Sequence, residues 1–367
     1  MLGLLILMQT TVAYSDMAAS RADSLEKAKK YFSFAIQYKN NGDYDEALVN
    51  YERSIALNDT VYQVHFSFAD LLMKMDKTAP ARRELLISCM LNPDHFKSAA
   101  LLAQLYHEAA LYDSALVMYE TMYRIDPAQR SLLTTIAGLR AYLGMNEVAL
   151  DAYLEYIESE DASCETLMKA SQVAETLERI ELARTLAGKA LVKCPGDMSA
   201  LRAAARTSLA LNDPASAIGY FRRIAEADSS DAESLARLEN LSRDHGDNDQ
   251  FLWALAEHNR REPENVAVIG DLGELLLRQG KTDEAVALIR RGIALSPGDG
   301  KLRVLLGDYY LKQGESDRAL EQFKVALNDE KWRDCAQQFI WKIEQPESDS
   351  KKIEREFFNR GYEAKPR

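Results

Sequence analysis

Along most of the chain, apolar residues recur three and four positions apart, the spacing of one face of an α-helix. Each such stretch is short, gives way to a polar turn, and is followed by a second stretch of the same kind. The pattern then starts again 34 residues later. Residues 96–129 show the unit well. Ala103 and Tyr106 sit on a first helix, Ala115 and Tyr119 on a second, and Pro127 closes the unit. Stepping from Ala115 by the same period meets Ala47, Ala81, Ala149, Ala183, Ala217, Phe251, Ala285 and Ala319. Eight of these nine positions hold alanine, with no insertion between them, which rules out coincidence.

The pattern carries its own physics. The alanine is small, so two helices can approach closely at that point. A turn often containing Gly (Gly42, Gly144, Gly246, Gly280, Gly314) suits the left-handed conformation that ends a helix. Pro at the end of a unit stops the second helix, because it lacks an N–H and clashes with the preceding turn. One helix pair cannot bury its apolar face alone, so successive pairs must stack into a continuous core. The predicted fold class is therefore all-α, an α-solenoid.

The order of small residue, Tyr, Ala, aromatic and Pro resembles the tetratricopeptide repeat family. The resemblance covers residues 28–333, nine units of 34 residues. It implies a right-handed superhelix whose first helices line a concave groove. Residues 1–13 are expected to be a signal peptide, 14–27 a lead-in, and 334–367 a C-terminal capping helix and tail.

Composition narrows the functional classes. The net charge of −12 disfavours nucleic acid, whose phosphates require a basic footprint. The apolar run Leu2–Met8 is too short to span a bilayer, and Thr11 and Ala13 stand where a secretory cleavage site has small residues. Export to a bacterial periplasm or cell envelope is the leading expectation and a cytoplasmic location the alternative, with peripheral membrane association a further option. Asp23 and Glu26 form a capping-box pattern expected to start the first helix of unit one. In unit seven Glu239 and Phe251 replace two small residues, which either bends the stack there or is absorbed by repacking. Beyond Pro346, Ile353, Phe357 and Phe358 give Ser350–Arg360 a small apolar face, read as a packed cap or a partner-binding tail.

No catalytic pattern emerges. The five His are scattered and read as surface or turn residues, the Gly residues form no phosphate-cradling loop, and no Cys or His pair has metal-ligand spacing. No cofactor is expected. Cys89 and Cys335 read as core fillers. Cys164 and Cys194 open and close unit five, where antiparallel helices bring the two ends together. They form a disulfide if the chain is exported, and otherwise two free thiols.

With the groove geometry that the resemblance implies, the early units offer Phe32, Ile36 and Phe66 to a partner. Unit four offers the small polar set Ser131, Thr134, Thr135 and Gly138. Units six and seven offer Arg202, Arg206, Arg237, Asn240 and Arg243. The arginines either form a patch for an anionic ligand, since guanidinium forks suit carboxylates, or pair locally with Glu233 and Asp244. The expected function is a non-enzymatic scaffold that binds a peptide or protein partner in the groove. The alternative is an accessory subunit that positions substrate for a catalytic partner on another chain.

Overall fold

The structure is a computed structural model that describes residues 2–344, with side chains from residue 20 onward. Among the described residues there are nineteen α-helices and no strand. In order they are α1 (Leu2–Asn41), α2 (Tyr44–Leu57), α3 (Tyr62–Lys74), α4 (Thr78–Leu91), α5 (Phe96–Glu108), α6 (Tyr112–Ile125) and α7 (Ser131–Tyr142). There follow α8 (Asn146–Ser159), α9 (Cys164–Thr176), α10 (Ile180–Lys193), α11 (Met198–Ala210), α12 (Pro214–Ala227) and α13 (Ala232–His245). The series closes with α14 (Asn248–Arg261), α15 (Val266–Arg278), α16 (Thr282–Leu295), α17 (Gly300–Lys312), α18 (Ser316–Ala326) and α19 (Arg333–Glu344).

The chain forms two compact bodies, Met1–Ala203 and Ala204–Arg367, and the boundary falls inside α11. In the first body, each helix packs on its neighbours in sequence from α1 to α9, and α9 packs on α10. In the second, the same serial packing runs from α12 to α19. This is the helix-pair stacking of an α-solenoid, as the period requires.

The small residues do what the period requires. Ala35 and Ala47, Ala69 and Ala81, and Ala103 and Ala115 are almost wholly buried where paired helices meet. In unit five Ser171 Oγ donates to the Ala183 carbonyl at 2.9 Å, so the polar substitution is satisfied in the contact itself. Late units use glycine instead. A Cβ built on Gly273 would lie 2.8 Å from Ile289, and one on Gly307 would lie 2.5 Å from Phe323. Larger residues on the second helix there lean over the first.

The intra-unit turn is uniform in backbone and varied in sequence. Gly42, Gly144, Gly246, Gly280 and Gly314 all have positive φ. Asp76, Ala110, Glu178 and Asn212 occupy the same place in the period and adopt φ of 55–58°. The fold imposes the left-handed conformation whether or not glycine is present.

Three expectations need correction. Asp23 does not begin a helix: α1 runs through it, and its carboxylate pairs with Lys27 at 2.7 Å. No Gly or Pro occurs from residue 4 through residue 41, so nothing stops the helix from extending back through the lead-in and the expected signal segment. Second, His65 is not a surface residue. It is 2% exposed, with Nδ1 2.7 Å from Glu84 and Nε2 2.9 Å from the Asp59 carbonyl oxygen. Third, His258 is half-buried, with Nδ1 2.6 Å from Glu239.

In unit seven, repacking absorbs both substitutions. Glu239 is buried against His258, and Phe251 packs with Leu255, Val268 and Leu272. At the C-terminal end α19 covers α18. Phe323, fully buried, stacks on Phe339 with centroids 4.8 Å apart, while Ala336 and Ile340 are buried beside it. The segment Ser350–Arg360 lies outside the described residues.

Candidate functional site

A concavity opens in the first body, over α7. Along the period, the ninth position of the first helix holds Ile36, Asp70, Gln104, Gln172, Arg206, Asn240, Glu274 and Asp308. In unit four the same position is Gly138, the one place in the series with no side chain. Beneath it lies Tyr153 of α8, in the core position held elsewhere by Tyr51, Leu85 or Phe323. A Cβ on Gly138 would sit 3.6 Å from the Tyr153 hydroxyl oxygen. The missing side chain therefore opens a notch whose floor is a phenol hydroxyl.

Two adjoining cavities of about 450 and 390 Å³ meet at this notch and share Gly138, Tyr153 and Lys169. Their walls come from the first helices α5, α7 and α9, with His107, Thr135 and Gln172 among them, and from Tyr112 of α6 and Asn146 of α8. One side is aromatic. The His107 and Tyr112 rings are 5.4 Å apart at their centroids, and Tyr112 meets Tyr142 edge-on at 4.7 Å. Tyr142 is 71% exposed. The opposite side carries Lys169 and Glu165, which pair with each other at 2.7 Å.

Tyr153 is 2% exposed, and its hydroxyl makes no hydrogen bond among the described residues. Burial, and secondarily the charge of Glu165, push its pKa above the ordinary phenol value, so it is a donor at neutral pH. Tyr51 offers a contrast. It occupies the same core position, but its hydroxyl is sealed from solvent and burial pushes its pKa up to about 12. The Tyr153 hydroxyl instead lines an open cavity.

The other expected contact residues are distributed between the two bodies. Phe32 is half-buried with its ring 6.1 Å from Tyr51, Phe66 lies edge-on to His95 at 5.0 Å, and Ile36 is half-buried. Phe32 and Phe66 pack on the core of the first units. Arg202 and Arg206 are exposed on α11, and both are engaged by other groups. Arg237 pairs with Glu233 at 2.9 Å, and Arg243 donates to Asn240 Oδ1 at 3.1 Å while lying over the Phe251 ring. Arg243 also borders a cavity of about 240 Å³ with Asp271, Glu274 and Arg278, so cations and carboxylates alternate there. Cys164 and Cys194 are joined as a disulfide, with Cα atoms 6.4 Å apart. Cys89 and Cys335 are free and partly buried, and burial pushes the Cys89 thiol up to about 11.

Among the described residues no group of His, Cys, Asp and Glu could hold a metal ion, and no helix is long and apolar enough to cross a membrane.

The family model described as tetratricopeptide repeat matches residues 168–232 and 271–334. The fold agrees with that of a chain in the structure of Naa15/Naa10 bound to HypK-THB, at 12% identity and a TM-score of 0.53, covering 91% of this chain and 64% of that one. A tetratricopeptide repeat protein from Parabacteroides merdae matches at 19% identity and a TM-score of 0.38, covering 68% of this chain and 99% of that one. YrrB, a TPR protein with an unusual peptide-binding site, matches at 15% identity and a TM-score of 0.42, covering 51% of this chain and 96% of that one. No curated protein matches the sequence.

Proposed function

We propose that the protein is a non-enzymatic scaffold that holds an extended segment of a partner protein across the first-helix faces of α5, α7 and α9. The observation that carries this reading is the trough over α7, where Gly138 leaves a buried hydroxyl open at the base of an aromatic-walled cleft. A concave cleft that pairs aromatic surface with a few convergent polar groups is a common form of a binding site, and here Tyr112 and Tyr142 stand beside Thr135, Lys169 and the Tyr153 hydroxyl. The reading includes export. A disulfide between Cys164 and Cys194 supports an oxidising compartment, since such bonds are rare where thiols are kept reduced.

The experiment is affinity purification from the native host with three proteins: wild type, Gly138→Arg and Val192→Arg. Arginine at 138 fills the trough, while Val192 is 83% exposed on α10 and serves as the control. A partner kept by wild type and Val192→Arg but lost by Gly138→Arg supports the reading. A partner kept by all three refutes it.

A further inference from the structure

We infer that the segment held in this trough is proline-rich and binds as a polyproline II helix, its ring against Tyr142 and a main-chain carbonyl accepting a hydrogen bond from the Tyr153 hydroxyl. This inference rests on the proposed binding role of the trough and supplies the chemistry of its occupant.

Three features select that chemistry. The first is the floor. Tyr153 is 2% exposed and its hydroxyl has no hydrogen-bond partner among the described residues. The hydroxyl faces the open cleft, where water can meet it, so a ligand that displaces that water must supply an acceptor in its place. Polyproline II has no internal hydrogen bonds, which leaves every carbonyl available as an acceptor. Proline itself has no N–H, so an oligoproline brings no donor that the trough would have to satisfy.

The second feature is the wall. Tyr112 and Tyr142 meet edge-on at 4.7 Å and His107 adjoins them at 5.4 Å. Tyr142 keeps 71% of its surface exposed. Aromatic-lined grooves with a hydroxyl at hand are the surfaces on which proline rings dock, and the ligand arrives already ordered.

The third is charge. Glu165 and Lys169 satisfy each other at 2.7 Å. The pair leaves no uncompensated charge in the trough, which suits a neutral occupant, although the protein as a whole carries −12.

The test uses the full-length protein and fluorescein-labelled decaproline, with a Gly-Ser decapeptide as the flexible control and anisotropy as the readout. Decaproline is expected to bind at least tenfold more tightly than the control. Tyr153→Phe, which removes the hydroxyl alone, should weaken decaproline by about three- to tenfold, the worth of one hydrogen bond. Tyr142→Ala should weaken it further, and Val192→Ala should leave it unchanged. If Tyr153→Phe misfolds, Gly138→Ala replaces it, because its methyl would cover the hydroxyl at an ordinary contact distance of 3.6 Å. Equal binding of both peptides overturns the polyproline assignment, as does decaproline binding that is indifferent to Tyr153 and Tyr142. If decaproline does not bind but Gly138→Arg still expels the native partner, the occupant is of another kind and the trough keeps its role. If decaproline does not bind and Gly138→Arg expels nothing, both readings fail.

Discussion

Ala110 and Glu178 show how strongly the fold outranks single residues. Each sits in the left-handed region at a turn where five other units place glycine. A side chain with a Cβ costs about 1 kcal/mol there. Ala110→Gly is therefore expected to raise the unfolding free energy by up to about 1 kcal/mol in urea melts, although glycine also loosens the unfolded chain. His65 creates a pH dependence. Burial alone would lower its pKa, but the Glu84 carboxylate and the Asp59 carbonyl outweigh burial and hold it above the ordinary value. A raised folded pKa confers stability that is fully present below the unfolded value of about 6.5 and is lost as pH rises through the folded value. Urea melts between about pH 6 and about pH 8 should show this loss, and His65→Asn should flatten it. No local sequence pattern marks this site. Its signal is a His and a Glu nineteen residues apart, which meet only once the register of the helix pair is known. The same separation joins Glu239 to His258.

At the scale of helices, the contact between paired elements is legible in the sequence alone. Alanine every 34 residues marks where the helices cross, and those alanines are among the most buried residues of the chain. The glycines of late units extend the rule. Gly307→Ala would press a methyl into the Phe323 ring at 2.5 Å, next to a core that α19 already covers. Overpacking of this kind costs about 1–3 kcal/mol. Gly188→Ala, in the interior of α10 with nothing within 4 Å, should instead stabilise by about 0.5–1 kcal/mol. Thermal melts of the two variants should move in opposite directions. The trough is only half legible. Thr134, Thr135 and Gly138 stand out as a small polar set, but nothing in the sequence distinguishes Tyr153 from an ordinary core residue. Its role depends on what is missing above it. The start of α1 escapes the sequence for a related reason: a capping pattern is a local signal, and it yields where helix-forming residues continue on both sides.

At the scale of the whole chain, the disulfide and the trough both belong to the first body. The bond closes a loop with a sequence separation of 30, and its loss through Cys164→Ser is expected to cost about 3 kcal/mol under oxidising conditions and nothing in reductant. Thiol titration of the denatured, unreduced protein should find the two free thiols, Cys89 and Cys335, out of four cysteines. Finding four would remove the support for an oxidising compartment. Where a partner lies is tested most directly by placing a benzophenone amino acid at Thr135, in the trough, and in a separate protein at Val192, on the exposed side of α10. Both are then irradiated in the native host. Binding in the trough predicts one discrete crosslinked partner from Thr135, abolished by adding Gly138→Arg, and none from Val192. The same partner from both positions, or from Val192 alone, would contradict it.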